Sequence, residues 1–130
     1  MQISKFSDYA FRALIYLAQN PDKLCTVEEL AEQLQTSPHH MKKVVHKLAS
    51  SDYIISLKGR TGGLRLGLPP EKINLGEVLS FTEENLNIFE CYATSNCPMY
   101  SAGCKLKAIS HKALTKFIGE FSAYNLADIL

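Results

Sequence analysis

From Phe6 to Gln19 apolar residues recur at helical spacing, with Phe6, Tyr9, Ala10, Ala13, Leu14 and Leu17 on one stripe. Ser4 or Ser7 supplies a cap, and Asp8 lies in the first turn, where the helix dipole favours an anion. Asn20, Pro21 and Asp22 end the helix. Thr26 and Glu29 have capping-box spacing ahead of a short second helix whose apolar side is Leu30, Ala31 and Leu34. Ser37 and then Pro38, a cap followed by proline at the first helical position, open a third. Met41, Val44, Val45 and Leu48 form its inner side, and His39, His40, Lys42, Lys43, His46 and Lys47 its outer side.

The period then changes. Tyr53 to Leu57 and Leu64 to Leu68 are β-prone runs around the Gly-rich cationic turn 58–63, and Pro69 and Pro70 stop the second. A hairpin directly after a third helix predicts a wing. Asn74 and Glu77 open a fourth helix, to about Glu83, and Asn125 to Asp128 is a final capped turn. Between them, Lys105 to Phe121 is a helix with Leu106, Ile109, Ala113, Phe117 and Phe121 near a 3.5-residue repeat. So wide a stripe on a terminal helix most simply packs against its copy in a second chain, as a homodimer. The expected fold is mainly α with a small β-hairpin wing. Residues 1–70 form a winged helix-turn-helix DNA-binding domain, and 71–130 carry a loop and a long dimerisation helix.

Charge sharpens this picture. The 130 residues carry a net charge of +1, but from Ser37 to Arg65 there are six Lys or Arg and one acid, and from Glu71 to Glu90 five acids and one base. A basic third helix and wing are suited to double-stranded DNA. Ser37, His39, His40, Lys42 and Lys43 lie in the half of the third helix that reaches base edges. Arg60 at the wing tip suits a narrow minor groove, and Lys47 and Lys58 suit phosphates. The N-terminus lacks a signal peptide's apolar core, and no run approaches the roughly 20 apolar residues that span a bilayer, so a cytoplasmic chain without membrane contact is expected.

Reducing conditions give the cysteines their meaning. Cys91, Cys97 and Cys104 follow a C-x5-C-x6-C pattern, with Gly, Pro, Ser and Asn between them to let the chain bend. Thiolates are soft ligands for iron–sulfur clusters, zinc or copper(I). Three is one short of a closed zinc site. Cys25, among apolar neighbours, reads as a small buried residue. Nothing has the look of catalysis: there is no Cys–His pair at suggestive spacing, no phosphate-cradling loop and no pair of carboxylates in a cleft-like context, so an enzyme is not expected.

Phe6 to Ala18 (FSDYAFRALIYLA), Gly59 to Gly67 (GRTGGLRLG), the three cysteines and Phe117 to Leu130 resemble the NsrR family of nitric-oxide-responsive iron–sulfur repressors, and more distantly the related IscR family. The resemblance covers essentially the whole chain. It implies a transcriptional repressor that binds a palindromic operator and releases it in response to nitric oxide. It also implies a cluster on Cys91, Cys97 and Cys104, 4Fe–4S when oxygen is excluded, with 2Fe–2S as a degraded or alternative form. In IscR-like proteins the fourth ligand is a histidine three residues after the last cysteine, where this chain has Lys107. In NsrR-like proteins it can be an aspartate near the start of the first helix, donated by the partner subunit, where this chain has Asp8. The rival reading is an IscR-like regulator that senses cluster status or redox state.

Overall fold

The computed structural model describes residues 1–92 and 96–130. Helix α1 spans Lys5–Gln19. Ser4 is its cap, accepting from the Ser7 amide at 3.2 Å. Ser7, Ala10, Ala13, Leu14 and Leu17 are its buried residues. Helix α2 spans Val27–Gln33 and α3 spans Pro38–Ala49, capped by Thr26 and Ser37. Gln35 lies in the left-handed region at φ 53° and turns the chain between them. Met41, Val44, Val45 and Leu48 of α3 pack into the core shared with α1 and α2, as the pattern predicts.

Strands β1 (Ile54–Leu57) and β2 (Gly63–Leu66) form a two-stranded antiparallel sheet, with Ile54 paired to Leu66 and Leu57 to Gly63. The strands are shorter than the β-prone runs Tyr53 to Leu57 and Leu64 to Leu68. Close approaches require glycine at several positions. A Cβ at Gly62 would collide with the Leu57 carbonyl across the turn, and one at Gly76 would collide with Ser122. The wing is joined to the body by a bridge between Cys25 and Leu64, whose amides and carbonyls exchange hydrogen bonds of 3.0 and 2.7 Å. Cys25 is fully buried there. Its desolvation pushes the thiol pKa up, with Glu29 adding to the effect.

Helix α4 spans Leu75–Thr82, and the short α5 (Pro98–Ser101) lies within the cysteine segment. Helix α6 spans Leu106–Ser122 and packs along α4. Ile73, Leu75, Val78 and Leu126 extend the core of α1 to α3. Asn125 and Asp128 make a reciprocal capping box that closes the C-terminal turn Leu126–Ile129. The box predicted at Thr26 is only half made. Thr26 accepts from the Glu29 amide at 3.0 Å, but the Glu29 carboxylate turns to the Tyr16 hydroxyl at 2.9 Å and to Lys23. A charged partner outcompetes the neutral amide of Thr26.

Candidate functional site

A groove of about 680 Å³ lies between α3 and the wing. His39, Lys42, Lys43, His46 and Lys58 surround it, and Val45 and Leu64 belong to its lining. All five polar residues are exposed. Proline at the start of α3 and the Ser37 cap, which accepts from the His40 amide at 3.1 Å, set where this helix begins and hence which residues face outward. Ser37 and Arg60 are exposed as well, Arg60 in the turn between β1 and β2.

Two residues of the sequence-predicted DNA face have other neighbours. His40 is half-buried; its ring stands perpendicular to that of Tyr9, with centroids 5.1 Å apart, and lies 6.3 Å from Phe6. Lys47 is also half-buried and places its ammonium 4.4 Å from the centre of the Phe81 ring on α4. Helical period assigns both to the outer side of α3. The outer side is not uniformly solvent, because α1 and α4 flank it.

Asp8 sits on the first turn of α1 and is half-exposed. Arg12 clamps it, Nε donating to Oδ1 at 3.0 Å and Nη2 lying 2.8 Å from Oδ2. The guanidinium lies 5.8 Å from the centre of the Tyr9 ring. Asp8, Arg12, Tyr9 and His40 thus form a continuous chain from the candidate ligand to α3. Below it is a buried polar junction absent from the sequence reading. Glu83, capping the end of α4, accepts from Ser7 Oγ at 2.7 Å, from Ser4 Oγ at 3.0 Å and from the Ser4 amide at 3.2 Å. Ser7 and Thr82 are fully buried, with the Thr82 hydroxyl 2.9 Å from that of Ser7. The serines' helical spacing was visible in the sequence; Glu83 was only one acid in an acidic run.

The cysteine segment is more structured than a plain loop. Cys91 lies in a 3-10 turn (Glu90–Tyr92), Cys97 caps α5, and Gly103, in the left-handed region at φ 87°, turns the chain into Cys104 and α6. Cys91 and Cys97 are half-buried, Cys104 is exposed, and all are free thiols. Among the described residues no three His, Cys, Asp or Glu side chains converge closely enough to hold a metal ion. In this single chain no three of the thiols and Asp8 come together, and Asp8 is held by Arg12. The donor set nonetheless fits an iron–sulfur cluster: three accessible free thiols are soft ligands, and the fourth thiol, Cys25, is sealed in the core. Tyr92, Tyr100, Lys105, Lys107 and His111 border Cys104 around a pocket of about 420 Å³. Lys107, at the IscR-type histidine position, sets its ammonium 5.7 Å from the centre of the Tyr100 ring.

Helix α6 leaves the N-terminal half of its apolar stripe open. Ile109 is 62% exposed and Leu106 44%. An apolar groove of about 640 Å³ runs beside it, lined by Met1, Ile3, Ile88, Leu114 and Phe117 among others. No helix among the described residues is long and apolar enough to cross a membrane.

Comparison with known proteins agrees with this architecture. The model of the Rrf2 family, described as an iron-dependent transcriptional regulator, matches residues 3–130. The chain is 37% identical over its whole length to the HTH-type transcriptional regulator NsrR of Bacillus subtilis, covering 90% of that protein. It is 40% identical to that of Halalkalibacterium halodurans, with the same coverage. Among solved structures, T. potens IscR superposes with a TM-score of 0.76 at 19% identity, over 99% of this chain and 85% of that one. CymR, the global cysteine regulator of B. subtilis, superposes with a TM-score of 0.71 at 20% identity, over 99% and 95%. The last two show the winged-helix fold.

Proposed function

The chain belongs to the Rrf2 family of transcriptional regulators, and from that premise we propose a homodimeric repressor that senses nitric oxide through an iron–sulfur cluster and thereby controls its hold on a palindromic operator. Residues 1–70 are the reading head and 71–130 the sensing and dimerisation part. Cys91, Cys97 and Cys104 of one protomer and Asp8 of its partner would hold the cluster, in the 4Fe–4S form. When bound, the cluster supplies iron with affinity for nitric oxide. The setting is the cytoplasm, where thiols stay reduced.

The observation that carries this reading is the position of Asp8. It lies on the helix whose next residue, Tyr9, packs against His40 of the recognition helix. Whether Asp8 is engaged outward or held by Arg12 alters the load on α1, and α1 bears on α3. The exposed side chains of His39, Lys42, Lys43, His46 and Lys58 line one groove, which suits a recognition helix in the major groove with a wing beside it. Two heads must stand about one helical turn of DNA apart to read both half-sites, so a small rotation of α1 suffices to lose one of them. A few kcal/mol of preference between two arrangements is enough for such control. The open stripe on α6 and the adjoining apolar groove support pairing of two copies.

The test is anaerobic purification with an absorption spectrum, iron and sulfide counts, and operator binding before and after nitric oxide. A coloured protein that leaves its operator on nitric oxide addition is expected. A colourless, iron-free protein with an intact response overturns the reading. Release by oxidant but not by nitric oxide would favour the IscR-like alternative.

A further inference from the structure

The hydroxyl of Tyr92 is sealed from solvent and has no hydrogen-bond partner, alone among buried side-chain oxygens and nitrogens of the described residues. A stranded polar group of this kind destabilises the fold, and a phenylalanine would fill the same space without that cost. Buried polar groups in native proteins almost always have partners, so an orphan calls for a reason. Its surroundings narrow the reason. Tyr92 follows Cys91 directly and shares a pocket with Cys104, Lys105, Lys107 and His111. The lysines can only donate, and neither donates to the phenol oxygen. His111 lies ring against ring, tilted by 38° with centroids 6.4 Å apart, and makes no hydrogen bond to the phenol. Cys104 lines the same pocket, and its sulfur becomes a strong acceptor only as a thiolate.

We propose that the Tyr92 hydroxyl donates a hydrogen bond to a sulfur of the occupied cysteine site, and that Lys105 and Lys107 form a cationic rim which offsets the negative charge of the thiolate-bound centre. This rests on the cluster reading above and deepens it. Tyr92 is a positioning residue: it acts on the ligand sulfur rather than on iron. Hydrogen bonds to sulfur are among the features that set the potential and lability of such centres.

The test compares wild type with Tyr92→Phe, both reconstituted anaerobically with ferrous iron and sulfide. Three quantities are read: thermal midpoint of the iron-free protein, rate of cluster loss to EDTA, and Fe–S stretching frequencies by resonance Raman. The iron-free variant should melt at the same temperature or higher, because no bond is lost. Cluster loss should be about 10-fold faster, in line with removal of an outer-sphere partner, and the Fe–S frequencies should shift. Equal loss rates and unshifted frequencies overturn the proposal while leaving the cluster reading intact. So does a lower melting point of the iron-free variant, which would mean the hydroxyl already had a partner. A wild-type protein that takes up no iron overturns both.

Discussion

The rings of Tyr9 and His40 stand perpendicular, with centroids 5.1 Å apart, and this contact ties the helix that carries Asp8 to α3. His40 follows the exposed His39 and precedes the groove residues Lys42 and Lys43 on the same helix. Arg12 extends the tie, holding Asp8 with one edge while lying over the face of Tyr9.

Replacing His40 with alanine removes an edge-on aromatic pair, worth about 0.5–1.5 kcal/mol beyond the buried area. Urea denaturation should show that loss, and operator binding should weaken with a flattened response to nitric oxide. Lost operator affinity at unchanged stability would make His40 a base contact instead.

Asp8→Ala should cost the iron-free protein little, about 0.5 kcal/mol or less, because its pair with Arg12 is exposed and of the i, i+4 kind. Its effect should appear in the loaded protein, as an altered anaerobic absorption spectrum and weaker release from the operator by nitric oxide. Unchanged spectra together with an unchanged DNA response would remove Asp8 from the ligand set.

Lys42, Lys43 and Lys58 border the groove with exposed ammonium groups. Each alanine substitution that removes a phosphate contact should reduce the slope of log K against log salt by about 1, equally for operator and random DNA. A loss confined to the operator would mark that lysine as a base reader. Salt titrations by fluorescence anisotropy distinguish the two.

Glu83→Ala leaves the fully buried Ser7 hydroxyl without its carboxylate acceptor and frees the start of α1 from the end of α4. A loss of about 1–3 kcal/mol is expected. In a double-mutant cycle with Ser7→Ala the two changes should be strongly non-additive, since they remove the same bond.

The Glu29 carboxyl is held below its ordinary range, first by its hydrogen bond from Lys23 and then by that from Tyr16. A depressed folded-state pKa stabilises the protein above the unfolded carboxylate value of about 4.3, and that stabilisation is lost as pH falls through the folded value. Wild type should therefore exceed Glu29→Gln in stability by a constant amount near neutrality, and the gap should close on acidification. Thermal melts across the acid range measure it. A gap that widens on acidification contradicts this assignment.

Local pattern was enough for the longer elements, though not for the short turn and helix within the cysteine segment. Helical period placed the inner faces of α1 and α3, Ser37 with Pro38 marked the start of the recognition helix, and the β-prone runs around Gly59 to Gly63 marked the wing. Cysteine spacing drew attention to the segment from Cys91 to Cys104. These signals survive in one dimension because each depends on residues within a few positions of one another. The partners of individual polar groups do not. His40 against Tyr9, Lys47 over Phe81, Glu29 with Tyr16 and Lys23, Glu83 with Ser4 and Ser7, and the stranded Tyr92 hydroxyl all follow from which helices come to lie side by side. Period assigns a residue to a face. Packing then decides whether that face meets water, a ring or a charge, because burial makes an unpartnered polar group costly and so selects its neighbour across long stretches of chain.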